Sequence, residues 1–308
     1  MIRLKGAALA GATVLLLSGL VAPAQAALPT SERAKPCDES TTGASARGGT
    51  GAERALDHRD ITAAEQRAIE ERTARILDRK GRPSTGVAIP TYVHVMAAQD
   101  GSGDVTDKQI TRQMAVLNKT FGGGESTDAS DSGFTFTLAG TDRFYNDTWH
   151  KDRSSSAYRS ATRQGGVDAL NIWLVDFAYL GIATFPWDYE KNGATDGIRV
   201  HYDSLPGGSI ANYDLGETAT HEAGHWMGLF HTFQGGCNEP GDYVVDTPAM
   251  STPTNGCPPN KDTCLDAPGL DPIFNYMDYS YDSCYNQFTP DQSTRMNQMW
   301  TAYRAPAA

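Results

Sequence analysis

Beyond Ala26 the chain has no uninterrupted apolar run long enough to span a bilayer, so no internal transmembrane helix is expected. It also lacks a positive excess: 26 Lys and Arg stand against 37 Asp and Glu. A nucleic-acid partner requires concentrated basic surface, so that function class is excluded. Internal repeats are missing as well. Cysteine is scarce, five in 308 residues, and Cys237, Cys257, Cys264 and Cys284 share one C-terminal stretch. What is present suffices for a sizeable core: 39% of residues are apolar and 20% charged, as in ordinary globular domains.

The first residues read as an export signal. Arg3 and Lys5 precede an apolar run, Ala7 to Val21, and the small residues of Ala22-Pro23-Ala24-Gln25-Ala26 follow. This is the layout of a secretory signal peptide cleaved after Ala26; the alternative is an uncleaved anchor, for which the run is short and rich in Ala. The expected product is secreted and extracellular, without stable membrane association. In that oxidising compartment the four clustered cysteines read as two disulfides, with three pairings open, and Cys37 stands apart.

Residues 27–51 are rich in Ser, Thr, Gly and Ala and carry no apolar period. From Ile61 to Leu77 the spacing turns helical and amphipathic, ending in the basic, turn-prone Arg79-Lys80-Gly81-Arg82-Pro83, open to a trypsin-like cut. Strands are expected at Val87–Met96, Phe134–Leu138, Ala169–Val175 and Gly197–Tyr202, with a helix over Asp107–Phe121. Such interleaving makes residues 86–220 an α+β or α/β half. After His231 the chain becomes rich in Gly, Pro, Asp and Asn, a loop-rich half held by disulfides and closed by a helix near Gln292–Tyr303.

The chemistry concentrates in His221-Glu222-Ala223-Gly224-His225-Trp226-Met227-Gly228-Leu229-Phe230-His231. On a helix, positions i and i+4 share a face, so His221 and His225 can present imidazoles to one ion. Glu222 lies about 100° around from His221 and addresses a water, not the metal. Gly228 can take positive φ and turn the chain so that His231 arrives as a third ligand. Three nitrogens leave one position open, the mark of a catalytic zinc. Glu222 would then activate a zinc-bound water as general base. A helix whose histidines are merely core or surface residues is the bland alternative, and the added Gly and third His at these spacings count against it.

This extended motif resembles the metzincins, and Asn275-Tyr276-Met277-Asp278-Tyr279-Ser280 supports the likeness, with Met277 placed as the Met-turn residue of that clan. The segments around Cys237, Gly241–Pro248 and Asp271–Tyr279 resemble the pappalysin-like branch, which includes secreted bacterial and fungal extracellular metalloproteases. The resemblance spans roughly residues 86–304. It implies an α+β zincin fold, a twisted mixed sheet with two long helices above an irregular disulfide-linked C-terminal subdomain. It implies a secreted zinc metalloendopeptidase, made as a zymogen and acting on protein or peptide substrates as a monomer. The division would be signal peptide 1–26, pro-segment 27–82 and catalytic domain 83–308, the last split near residue 231. Tyr279 matches a tyrosine that in relatives can hydrogen-bond the tetrahedral intermediate; a structural tyrosine is the other reading. The family also suggests the pairings Cys237–Cys264 and Cys257–Cys284.

Weaker features accompany the motif. Asp242, Asp246 and Thr247 are candidate calcium ligands, with a hydrogen-bonded turn as the alternative. Cys37 is a candidate latency thiol that would occupy the open zinc position; a free thiol or an intermolecular disulfide are its rivals. Gly181–Phe185 is a candidate edge strand for an extended substrate. Asp282 hints at a basic side chain after the scissile bond. His58, His94, His150 and His201 lack ligand spacing and read as ordinary strand or surface histidines. Two other functions stay open: a catalytically inactive protease-like binding module, and a zinc amidohydrolase acting on a non-peptide substrate.

Overall fold

The computed structural model describes residues 61–81 and 86–306. In chain order the regular elements are α1 (Ala63–Lys80), β1 (Val87–Ala97), α2 (Asp107–Phe121), β2 (Phe134–Tyr145), the short α3 (Asp147–His150) and α4 (Ser155–Thr162), β3 (Leu170–Val175), β4 (Gly181–Ala183), the single turn α5 (Tyr189–Asn192), β5 (Ile198–His201), α6 (Glu217–Trp226) and α7 (Pro290–Met299). A π-turn, Trp300–Arg304, continues from α7.

Local chemistry sets the helix starts. α1, α2 and α7 each open with a reciprocal capping box: Thr62 with Glu65, Thr106 with Gln109, and Thr289 with Gln292. On α2 the face expected from spacing is the buried one, with Ile110, Met114, Leu117 and Phe121 all in the core.

The strands form one mixed sheet in the order β2-β1-β3-β5-β4. β1 pairs parallel to β2 and β3, and β3 parallel to β5; β4 alone runs antiparallel, against β5. β3 lies in the middle and is buried at every residue, as a strand covered on both faces should be. β2 runs well past the alternating Phe134–Leu138 segment because β1 offers a partner through Tyr145 across a bulge at Thr91/Tyr92. The last residues of β2 are mostly solvent-facing, so they carry no apolar period to read.

α2 and α6 lie side by side under the sheet. Thr120 and Thr220 hydroxyls meet at 3.2 Å, and Gln113 Nε2 donates to Gly216 O at 2.9 Å. Between Trp226 and Pro290 there is no helix or strand, only the isolated bridges Gly256–Ser280 and Asn275–Gln287. Two disulfides tie this stretch, Cys237–Cys264 and Cys257–Cys284, with Cα separations of 5.5 and 5.9 Å. Each closes a loop of 27 residues, worth about 3–4 kcal/mol in the chain-entropy account. The stretch buries few apolar side chains for its length, so the cross-links stand in for a core.

A buried ion pair locks the end of α6. Arg304 contacts both carboxylate oxygens of Asp196 at 3.0 and 3.1 Å, donates through Nε to Trp226 O at 2.9 Å, and lies 3.6 Å from the Trp226 ring centroid. The Trp226 indole also donates to Asp196. Arg304→Met removes the close cation of a buried carboxylate and leaves it only Arg163, 3.8 Å from Asp196 Oδ2. It is expected to destabilise the fold by about 3–5 kcal/mol in urea titrations; a loss under about 1 kcal/mol would mean that Arg163 suffices as the counter-ion of Asp196.

Candidate metal centre and active site

α6 carries His221 and His225 one turn apart, and every residue of the helix is buried. Its end is sharp. Gly228 sits at φ 94° and its N–H returns to His225 O at 2.8 Å, so the chain doubles back and delivers His231 to the same point. The three Nε2 atoms form a nearly equilateral triangle with sides of 3.0, 3.0 and 3.1 Å. Tetrahedral zinc with nitrogens at about 2.0–2.1 Å sets them about 3.3 Å apart, so a small expansion separates this triangle from a loaded site.

The opposite ring edges orient the two helical imidazoles. His221 Nδ1 donates to Tyr276 O at 2.6 Å and His225 Nδ1 to Leu229 O at 2.8 Å. Each carbonyl holds the proton on Nδ1 and so selects the tautomer whose Nε2 is a lone-pair donor. His231 stacks on Phe233 with ring centroids 4.7 Å apart. These three residues are the one His/Cys/Asp/Glu group with metal-holding geometry among the described residues.

Met277 is fully buried beneath α6, so close to Gly224 that a Cβ there would meet its sulfur at 2.5 Å. Its turn is also a clamp. Tyr276 O accepts the hydrogen bond from His221 Nδ1, and Met277 O accepts from Thr232 N, the residue after His231, at 3.2 Å. Asn275 holds the turn through Met277 N and through a two-way amide pair with Gln292 of α7. Tyr279 follows and packs its ring 4.8 Å from His231 and 5.8 Å from His221.

Glu222 is completely buried and faces β4. A Cβ on Gly181 would fall 2.4 Å from Glu222 Cγ and 2.5 Å from Oε1, so only glycine lets this carboxylate lie against the edge strand. Periodicity gives no hint of that dependence. β4 itself covers Gly181–Ala183, two residues shorter than the Gly181–Phe185 segment expected, because Phe185 turns away to stack on Trp187.

A pocket opens beside the triangle, lined by Leu180, Tyr213, Glu217, Thr218, His221, Tyr279, Asp282 and Tyr285. Asp282 Oδ2 accepts from Leu215 N at 2.9 Å, which anchors the carboxylate at the entry to α6. Its Oδ1 and Glu217 Oε2 are buried without a hydrogen bond. Burial pushes Asp282 up to about 7 and raises Glu217 well above the usual carboxylate range, with Glu125 and Asp282 adding to the latter. Glu217 was not singled out by the sequence; its place one turn before His221 was the available signal.

The remaining candidates fall as follows. Asp242, Thr247 and Val244 bring oxygens together: Thr247 Oγ1 lies 2.8 and 2.9 Å from the Asp242 carboxylate oxygens and 2.9 Å from Val244 O. Asp246 turns elsewhere and accepts from Asp291 N at the start of α7. His94 and His201 are buried strand residues, of β1 and β5, and His150 is buried at the end of α3; His94 pairs with Asn171, while His150 and His201 flank Asp176 at 3.4 and 3.6 Å. Cys37 and His58, with the signal and leader segments, lie outside the described residues.

Known proteins resemble this chain in sequence and fold. The family model peptidase M43, pregnancy-associated plasma protein-A, matches residues 178–301. An extracellular metalloprotease of Verticillium alfalfae is 47% identical over 231 residues, covering 72% of this chain and 81% of that protein. Among solved structures, mirolysin bound to a small compound superimposes with TM-score 0.62 at 30% identity, covering 70% of this chain and 92% of its own. A point mutant of Tannerella forsythia promirolysin gives TM-score 0.65 at 29% identity, covering 78% and 89%. The matched segment runs from β4 to α7, through every element that builds the triangle, and the chain belongs to the pappalysin-like metalloproteases of the peptidase M43 family.

Proposed function

We propose that this metalloprotease is a secreted zinc endopeptidase with His221, His225 and His231 as its metal ligands and Glu222 as its general base. The observation that carries the reading is the Nε2 triangle, two of its imidazoles set by backbone carbonyls, with a buried carboxylate beside it. All-nitrogen donors in a three-point cluster fit zinc, and three ligands leave room for a substrate. Zinc held there would supply Lewis acidity, polarising the scissile carbonyl and acidifying water.

The chain's own groups do the rest. Glu222 takes a proton from the attacking water and returns it to the leaving nitrogen. The Tyr279 phenol, beside His221 and His231, donates to the developing oxyanion. β4 at the sheet edge presents backbone groups to an extended peptide, as in strand addition. The two buried acids of the neighbouring pocket, each with an oxygen lacking a hydrogen bond, would gain a counter-charge that favours their ionised form from a basic side chain after the scissile bond. Export agrees with the leader sequence and with relatives named extracellular. No helix among the described residues is long and apolar enough to cross a membrane.

Peptide-library cleavage tests the reading. Activity should vanish after a strong chelator and return with about one equivalent of zinc, with Arg or Lys enriched after the cut. A protein that binds one zinc yet cleaves no peptide would sink the endopeptidase assignment; cleavage indifferent to the residue after the bond would sink only the pocket assignment.

Calcium is proposed for the Asp242 loop, with Asp242, Asp246 and Thr247 as candidate ligands and Val244 O beside them; Asp246 Oδ2 also accepts from Asp291 N at the start of α7. Burial raises the Asp242 carboxyl to about 7, above its unfolded value of about 3.9. Its contribution to stability is therefore present below about pH 4 and lost as pH rises through 7. A cation would offset that loss. Added calcium should raise Tm more at pH 8 than at pH 5.5, and Thr247→Val should remove the difference; equal shifts at both pH values would argue against a site here.

A further inference from the structure

We infer that α1 is a working part of the active enzyme, a brace on the turn that carries His231, and not a segment discarded on activation. The metal side of this inference rests on the ligand assignment above. Sequence places α1 in the pro-segment, where it ends in the exposed basic residues Arg79 and Lys80. Its packing places it elsewhere.

Ile61 and Ile69 of this segment bury into one apolar cluster with Trp187, Phe230 and Met299. Phe230 immediately precedes His231. Polar contacts add to this packing: Gln234 Nε2, just past His231, donates to Ile61 O at 2.9 Å, and Thr73 meets the hydroxyl of Tyr303 in the C-terminal π-turn at 2.8 Å.

The central link is Arg295 of α7. Its Nε donates to Gly228 O at 3.0 Å, and its guanidinium lies 4.9 Å from the Phe230 ring centroid. Arg295 is 4% exposed, and among the described residues Glu70 of α1 is its one ion-pair partner, at 2.6 Å. A buried guanidinium needs a paired carboxylate to stay where it is. Remove α1, and the cation that holds the Gly228 carbonyl loses its counter-charge while Phe230 loses its cover. The turn delivering the third imidazole would then loosen. None of these α1 contacts involves a residue lining the pocket beside His221, so a docked α1 leaves that pocket open. A cut at the basic residues that end α1 would nick the chain without freeing the helix, and a cut before Ile61 would leave it attached.

Two measurements on the full-length secreted protein decide this. The active fraction, purified natively and weighed under denaturing conditions, should contain residues 63–80, either in the main chain or as a co-migrating peptide. Active enzyme without them overturns the inference. In parallel, zinc release to a chromogenic chelator is timed for wild type, Glu70→Gln and the exposed control Glu71→Gln. Glu70→Gln should release zinc about tenfold faster, the scale of an outer-shell partner, with KM for a peptide unchanged; the control should match wild type. Equal release from all three overturns the brace even where α1 is retained. Wild type lacking stoichiometric zinc would instead overturn the ligand assignment, on which the mass measurement does not depend.

Discussion

Glu222→Gln is expected to lower kcat/KM for peptide hydrolysis by about 10³-fold, within the range of general acid–base contributions, while zinc content stays at wild-type level. The amide matches the carboxylate in shape, so it opens no cavity beside β4, where Glu222 is completely buried. What it cannot do is accept a proton from water. Because Glu222 points about 100° away from the ligand face of α6, the three imidazoles keep their places. Removing a buried charge should leave Tm unchanged or raise it. Steady-state kinetics with metal analysis on the same preparation checks both halves. Activity within about tenfold of wild type would remove Glu222 from the chemistry, and loss of zinc would make it a ligand instead.

Gly181→Ala should cost about 10²-fold in kcat/KM and also destabilise the fold. Gly181 is not among the glycines with positive φ, so its backbone alone would accept alanine. Gly→Ala at such positions ordinarily stabilises by about 0.4–1 kcal/mol through the unfolded state. Here the contact reverses the sign, because the new Cβ would lie 2.4 Å from Glu222 Cγ. Neither neighbour can step aside cheaply. β4 is held to β5 by the Gly181–Val200, Ile182–Arg199 and Ala183–Ile198 register, and α6 is buried along its whole length. Overpacking of this kind costs about 1–3 kcal/mol. Urea titration and kinetics on this variant should therefore both fall, and an unimpaired, more stable Gly181→Ala protein would mean that Glu222 does not rest against the edge strand.

The candidate metal ligands were legible because their geometry is local. Two imidazoles four residues apart share a helical face wherever the helix sits, and Gly228 marks the turn that brings the third. The capping boxes at Thr62, Thr106 and Thr289 are local in the same sense, each closed within four residues. Apolar period likewise announced α2 and the buried strand β3.

What failed to show in the sequence depends on partners far along the chain. The solvent-facing end of β2 has no apolar alternation and exists because β1 pairs with it. Asp246 accepts from Asp291 N at the start of α7, a contact that the loop's own sequence does not announce. Glu217 became a pocket wall only when Asp282 arrived beside it from the irregular half. Glu70 of α1 reaches Arg295 across 225 residues, and Arg304 reaches Asp196 across 108. By itself, then, the sequence determined a histidine-bearing helix, its sharp exit and the three imidazoles they carry. Only the tertiary structure decided which glycine makes room for Glu222, which acids line the neighbouring pocket and which helix packs behind the third histidine. The reason is physical: helical periodicity and turn propensity act over a few residues, whereas steric fit and the pairing of buried charge are properties of neighbours that meet only after folding.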